Sequence, residues 1–85
     1  METTNLEASF STLIMSIGSS AAISLGISPD PSTGETSVNK DVARFNIDLL
    51  KVLEEKTKDN LSTEESSFLK HILSDLQLRF VEVTK

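Results

Sequence analysis

The sequence predicts an all-α fold, a three-helix domain with helices at about residues 5–25, 39–58 and 63–81, and we expect it to assemble into a symmetric oligomeric helical bundle. Three observations predict this fold class. Apolar residues recur every three to four positions in three separate segments, as expected of helices with one buried face. Turn-forming residues separate these segments. The 85 residues are enough for a single domain, spanning 1–85.

The composition narrows the classes of function. Acidic residues outnumber basic ones by 13 to 8, giving a net charge of -5, which argues against a basic nucleic-acid-binding surface. The chain has no Cys and one His, so it cannot build a zinc site of the usual composition. We therefore expect no metal, no cofactor and no nucleic-acid partner. No basic residue precedes Lys40, which does not fit a secretory signal, and we expect a cytoplasmic location.

The stretch from Ala8 to Pro29 carries no charged residue and would be long enough to cross a bilayer. It nevertheless contains eight hydroxyl side chains and lacks the basic flanks that orient a membrane-spanning segment. We therefore predict a buried helix here and no membrane span.

The first helix is predicted to begin near Thr4, and Ser9 is the alternative start. Thr4 to Glu7 fits a capping box, Ser9 is the other N-cap, and residues 1–8 are also considered as a disordered tail. Gly26 suits the left-handed position that ends many helices. Because no charge gives this helix a solvated face, we predict that it mediates self-association, with a dimer favoured. The residues predicted to form this interface are Phe10, Leu13, Ile14, Ile17, Gly18, Ala21, Ala22 and Leu25.

A long loop at residues 27–38 separates the first two helices. Two prolines and Gly34 within six residues exclude regular structure, and Asp30 followed by Pro31 suits a type I turn. We expect the loop to cross an end of the bundle. A binding role at Pro29, Asp30, Pro31 and Gly34 is the alternative.

The second helix is predicted to start at an Asn39 N-cap and to break at Asp59 and Asn60. Its core stripe is predicted to consist of Val42, Phe45, Leu49, Val52 and Leu53, broadened by Ile47 and Leu50. The i,i+4 ion pairs expected on its solvent side are Arg44–Asp48, Lys51–Glu55 and Glu54–Lys58.

The third helix has a capping box at Ser62 and Glu65. Its predicted apolar stripe consists of Phe68, Leu69, Ile72, Leu73, Leu76, Phe80 and Val83, and Asp75–Arg79 is a further expected ion pair. The last residues are β-branched and alternate, so we place the helix end near Val81. All three helices are expected to be about 20 residues long, which suits a bundle.

The sequence offers little that could carry catalysis. His71 and Asp75 are four residues apart, but a surface His beside a salt-bridging Asp is the favoured interpretation. We therefore expect no enzyme, and predict a non-enzymatic, self-associating helical interaction or scaffold module that can also bind a partner protein. The alternative is a carrier that holds an apolar small molecule or lipid between oligomerised helices, lined by the hydroxyls of Ser16, Ser20 and Ser24.

Several stretches of the chain also resemble a known family. They are Phe10–Ser16, Ser19–Ala21, Leu25–Gly26, Pro29–Pro31, Thr33–Gly34, Asn39, Ile47–Leu50, Glu55–Thr57, Asn60–Leu61 and Leu76–Val83. Over roughly residues 9–84 the chain resembles the domain-of-unknown-function family 1844. The resemblance implies a small, mostly helical bacterial protein with no assigned activity or cofactor, so it transfers no functional residue.

Overall fold

Three helices make up the fold, which comes from a computed structural model that describes residues 8–85. They are α1 (Phe10–Ser24), α2 (Lys40–Lys56) and α3 (Thr63–Thr84). Within the described residues the only extended pairing is an isolated antiparallel bridge between Leu25 and Val38. The predicted all-α, three-helix fold class is therefore confirmed. The helices have 15, 17 and 22 residues, so the expected equal lengths are wrong.

Local capping chemistry fixes where α1 begins and ends. The Ser9 side chain accepts a hydrogen bond from the Thr12 backbone N–H at 3.1 Å, which satisfies a donor of the first turn. The alternative start at Ser9 is thus confirmed, and the favoured helix start near residue 5 is wrong, because Ala8 and Ser9 precede the helix. Thr4 itself lies outside the described residues. Past the C-terminal end, Gly26 has φ of +77°, the left-handed conformation that was predicted for it.

The start of α2 agrees with prediction, and its end comes slightly early. The Asn39 side chain accepts a hydrogen bond from the Val42 N–H at 3.1 Å. The helix ends at Lys56, before the predicted position 58, and Asp59 then adopts the left-handed region with φ of 70°. Asp tolerates this conformation better than most residues, which explains why the chain can turn there without a glycine.

In α3 the predicted capping box is present, with Ser62 and Glu65 bonding each other's backbone N–H groups at 3.1 and 2.9 Å. The predicted end near Val81 is wrong, because the helix continues to Thr84. Val83 packs against the core, and the Thr84 hydroxyl donates to the Phe80 carbonyl at 2.8 Å. This packing and back-bonding outweigh the low helix propensity of the β-branched residues.

The hydrophobic core takes three buried residues from each helical region. They are Ile14, Ala21 and Leu25; Ala43, Ile47 and Leu50; and Leu69, Leu73 and Leu76. Between α1 and α2 two hydrogen bonds fix an antiparallel arrangement: Asn39 N–H to the Ser24 carbonyl at 2.7 Å, and Asn46 Nδ2 to Ser20 Oγ at 3.2 Å. Between α1 and α3, Gly18 allows close packing, since an added Cβ would lie 3.4 Å from the Ile72 side chain.

The core-facing side of α2 differs from the predicted stripe. Ala43, Asn46, Ile47 and Leu50 are the buried residues, whereas Val42, Phe45 and Val52 are exposed. The prediction followed the larger side chains, but the small Ala43 and the hydrogen-bonded Asn46 are what face α1. The helix is therefore rotated relative to expectation, and its larger apolar residues lie on the surface.

The loop after α1 leaves and returns at the same place. The Leu25–Val38 bridge and the Asn39–Ser24 hydrogen bond join its two ends, so it has the closed form of an Ω-loop. The two ends of the loop therefore lie side by side where α1 ends and α2 begins, and the expectation that the loop crosses an end of the bundle stays a prediction. At its base Gly26 is required, because a Cβ there would lie 3.0 Å from Val38 Cγ2 in addition to the strain of its φ.

We predict that Ser62→Ala lowers the free energy of unfolding by about 1 kcal/mol, since the substitution removes the N-cap of α3. Urea denaturation followed by circular dichroism measures the change. Ser67→Ala is the matched control, because Ser67 is exposed within the same helix and Ala favours helix there. Equal losses in both variants would contradict a capping role.

Candidate functional site

A row of exposed apolar residues runs along α2. We call Val42, Phe45, Leu49 and Val52 the α2 stripe. Their alternating spacing of three and four residues places them on one side of the helix, as in a coiled-coil seam. Val42, Phe45 and Val52 are 41%, 61% and 49% exposed, and Leu49 is half-buried. A contiguous apolar patch of this kind is typical of a protein–protein contact surface.

The other two helices cover the remaining sides of α2 but not this one. The Asn46–Ser20 hydrogen bond places α1 on one side. The Arg44 guanidinium lies 5.5 Å from the centre of the Phe80 ring, which places α3 on another. The α2 stripe faces neither helix. In the part of the chain that the structure describes, it has no covering element.

Along one edge of the α2 stripe lies a row of carboxylates, Asp41, Asp48 and Glu55. We call it the acidic row. Its members are seven residues apart, so they follow the stripe through the helix, and all three are exposed. Arg44 and Lys51 lie further round the helix, on the side of α3. The α2 stripe therefore has a negatively charged border on one side and α1 on the other.

The ion pairs expected on the solvent side of α2 are not formed. Between described residues, none of Arg44–Asp48, Lys51–Glu55 and Glu54–Lys58 comes within the 4.0 Å that defines an ion pair, whereas Asp75–Arg79 on α3 forms at 3.3 Å. Arg44 lies instead over the Phe80 ring. The acidic row is consequently not neutralised by its neighbours on α2.

The predicted interface residues of α1 separate into buried and exposed groups. Ile14, Ala21 and Leu25 are buried in the core of the chain itself, so their side chains are covered by the chain's own helices. Phe10 and Ile17 pack partly buried against the same core. Leu13 remains 45% exposed on the side of α2. This division arises because α2 and α3 cover the apolar face of α1, so that mainly hydroxyl side chains remain exposed to solvent.

We call the exposed residues Thr12, Ser16 and Ser20 of α1 the hydroxyl row. They are four residues apart and lie on one side of the helix. The row borders α2, because Ser20 accepts the hydrogen bond from Asn46. The whole of α1, Phe10–Ser24, contains no charged residue. The hydroxyl row is therefore a small-residue, uncharged surface next to the apolar α2 stripe.

The serines considered for a ligand cavity are largely engaged within the chain. Ser24 is buried and its hydroxyl donates to the Ser20 carbonyl at 2.8 Å, while Ser20 accepts from Asn46. None of Ser16, Ser20 and Ser24 lines either of the two grooves described next. In the single chain they are elements of helix packing.

A groove of about 390 Å³ brings together other residues that the sequence singled out. Gly18 and Ala22 of α1 line it together with Pro29 and Pro31 of the loop. The α3 side of this groove consists of Ile72, Asp75 and Leu76. The loop thus folds back beside α1 and α3, and its prolines form one wall of a shallow, mostly apolar depression.

The pair His71 and Asp75 does not form a hydrogen-bonded unit. His71 is exposed, and Asp75 accepts instead from Arg79 Nε at 3.3 Å. Within residues 8–85, no group of three or more His, Asp or Glu side chains is placed to hold a metal ion. The polar groups on this side of α3 therefore form a surface ion pair.

A second, larger groove of about 1090 Å³ lies between α2 and α3. The basic residues along it are Lys51, Lys58 and Lys70, and Glu54 and Glu55 lie among them. Because both signs are interspersed, the groove offers no single-sign field that would attract a charged ligand.

In the loop, Asp30 organises the predicted turn. Its Oδ1 accepts from the Ser32 hydroxyl at 2.6 Å and from the Ser32 backbone N–H at 2.8 Å, and its carbonyl accepts from Gly34 N–H at 2.7 Å. The Ser32 hydroxyl first, and its N–H second, lower the pKa of Asp30 below the ordinary value of 3.8. Gly34 takes φ of +75°, which closes the turn.

Comparison with known families identifies the chain. A family described as Domain of unknown function (DUF1844) matches residues 7–82. The chain belongs to this family, as its resemblance indicated. Neither the curated proteins nor the solved structures give a match.

As regards membranes, the helices of the described residues fall short of a spanning segment in length or in hydropathy.

We predict that carbon-detected or side-chain NMR titration will place the Asp30 pKa below 3.8. Its hydrogen bonds then stabilise the turn fully above the unfolded value, and this contribution is lost as the pH falls through the lowered folded pKa. Ser32→Ala removes the hydroxyl donor, so the pKa should rise towards its ordinary value. An unchanged pKa in that variant would show that the hydroxyl is not the main cause.

Proposed function

We propose that this family member is a non-catalytic helical module that associates with itself, and that the α2 stripe provides the contact surface. The observation that carries the proposal is the exposure of Phe45 and its neighbours at coiled-coil spacing along α2. An exposed Phe in a small domain is in itself ordinary. Four apolar residues at this spacing on one uncovered side of a helix are typical of a helix–helix contact surface.

The energetics favour a two-fold contact. Full burial of a Val, Leu or Phe side chain contributes about 1.5–3 kcal/mol, and the members of the α2 stripe are already about half buried, so each gains roughly 1 kcal/mol. Association has to overcome about 4 kcal/mol or more of lost translational and rotational freedom. A two-fold dimer buries the α2 stripe of both copies, so each residue of the stripe contributes twice to the free energy of association.

The neighbouring surface of α1 supports the same contact. Leu13 extends the apolar surface beyond α2, and the hydroxyl row adds small side chains without charge. Burying such a surface requires no desolvation of an ion, which costs several kcal/mol for each buried charge.

The proposal also includes the absence of a catalytic role and the cellular location of the protein. The engagement of Asp75 with Arg79 and the exposure of His71 support a non-catalytic role. A bacterial cytoplasm is the proposed setting, since the resemblance to the family implies a bacterial protein.

Native mass spectrometry over a concentration series is the test. The expected result is a concentration-dependent species of twice 9.3 kDa. A monomer at every concentration would contradict the proposal. A reproducible extra mass on the dimer would instead favour the carrier of an apolar molecule, and the mass would identify what to look for.

We predict that Phe45→Ser weakens the dimer by about tenfold or more, which corresponds to about 1.4 kcal/mol. Sedimentation equilibrium measures the dissociation constant. Leu78→Ser is the matched control, because Leu78 on α3 is equally exposed at 61% but lies away from α2. The two variants should have similar stability, and equal weakening in both would place the interface elsewhere.

A further inference from the structure

We infer that, in the proposed dimer, α2 of each copy packs on α1 of the other, so that α1, α2, the partner's α1 and the partner's α2 alternate around a two-fold axis. The inference rests on the proposed self-association and specifies which helices meet. The α2 stripe of one copy then contacts the hydroxyl row of the other, twice. The result is a four-helix arrangement with α3 of each copy outside it.

Charge argues against the simpler pairing of α2 with α2. In an antiparallel pair, the acidic rows would face each other, with Asp48 against the partner's Asp48 and Asp41 against the partner's Glu55. Like charges in such positions oppose association. In a parallel pair, each acidic row would instead be covered by the partner's α1, which has no cation to offer.

Packing α2 on the partner's α1 avoids both problems. The partner helix then lies over the α2 stripe, and the acidic row stays at the rim of the interface, in water. Among the three described helices, α1 is the one without a charged residue, so it can meet apolar residues without desolvating a charge.

Side-chain size agrees with this pairing. The α2 stripe offers large residues, and the hydroxyl row offers small ones, so large side chains can fill the space beside small ones at native density. The hydroxyls need not lose their hydrogen bonds when buried. A buried serine in a helix can bond the backbone of its own helix, as the Ser24 hydroxyl does when it donates to the Ser20 carbonyl four residues earlier.

The register of the pairing follows from the chain itself. Within one copy, Ser24 lies beside Asn39 and Ser20 beside Asn46. Continuing both antiparallel helices by six residues from the Ser20–Asn46 contact brings Ile14 level with Val52, and Thr12 lies two residues, or about 3 Å, further along α1. A two-fold axis along the helices preserves these levels, so Val52 should lie within reach of the partner's Thr12.

Disulfide trapping tests the pairing, and the absence of native Cys makes single-cysteine variants unambiguous. Full-length Thr12→Cys and Val52→Cys proteins are mixed and oxidised in air. The expected result is a mixed disulfide between the two variants, formed at least about tenfold faster than the Val52–Val52 product of the second variant alone. A mixture of Val42→Cys and Val52→Cys is the control for antiparallel pairing of α2 with α2, and should not crosslink.

Each other outcome has a defined meaning. Rapid Val52→Cys self-crosslinking, or crosslinking of the Val42→Cys and Val52→Cys mixture, overturns the helix pairing while self-association stands. A dimer that gives none of these products overturns the pairing as well. A monomer in native mass spectrometry overturns the proposed function itself.

Discussion

The close approach of α1 and α2 is the constraint on which the rest of the structure depends. Ala21 and Ala43 are both fully buried, and the neighbouring Asn46 side chain bonds Ser20 across the same contact. Small residues let two helix backbones come near each other, and the hydrogen bond fixes their rotation. Once Ala43 and Asn46 face α1, the larger apolar residues of α2 have to point away from it. The exposed surface of α2 is thus a geometric consequence of how the core closes.

This arrangement also explains how a chain with few large apolar residues obtains a core. Nine buried residues, two of them alanines, fill the space among three helices, and partly buried side chains such as Phe10, Phe68 and Phe80 surround it. A domain of this size buries only about 60–65% of the surface of its unfolded chain. Keeping one apolar stripe outside reduces the stability of the single copy, and association with a second helix surface would recover that loss.

The sequence could predict structural features that are determined by neighbouring residues, but not those that are determined by contacts between helices. The caps at Asn39 and Ser62 are decided by side chains within three residues of the helix start and could be read directly, whereas Ser9 was only the alternative to a start near Thr4. The rotation of α2 is decided by a contact with α1, more than twenty residues away, which periodicity alone cannot see. The α2 stripe was recognisable as apolar, but its exposure was not. A signal did exist: α2 has apolar residues over too wide an arc for one buried face, since Ala43, Ile47 and Leu50 form a second set.

The closed base of the long loop has a consequence for the use of this protein as a tool. The Leu25–Val38 bridge and the Asn39–Ser24 bond hold the end of α1 and the start of α2 together at the base of the loop. Residues 31–37 are all exposed, and lengthening such a loop costs only about 0.6 kcal/mol for each doubling of its length. A reporter peptide or a small fluorescent domain inserted there would leave the helical faces free, so the loop offers a built-in attachment point for labelling proteins of this family in a cell.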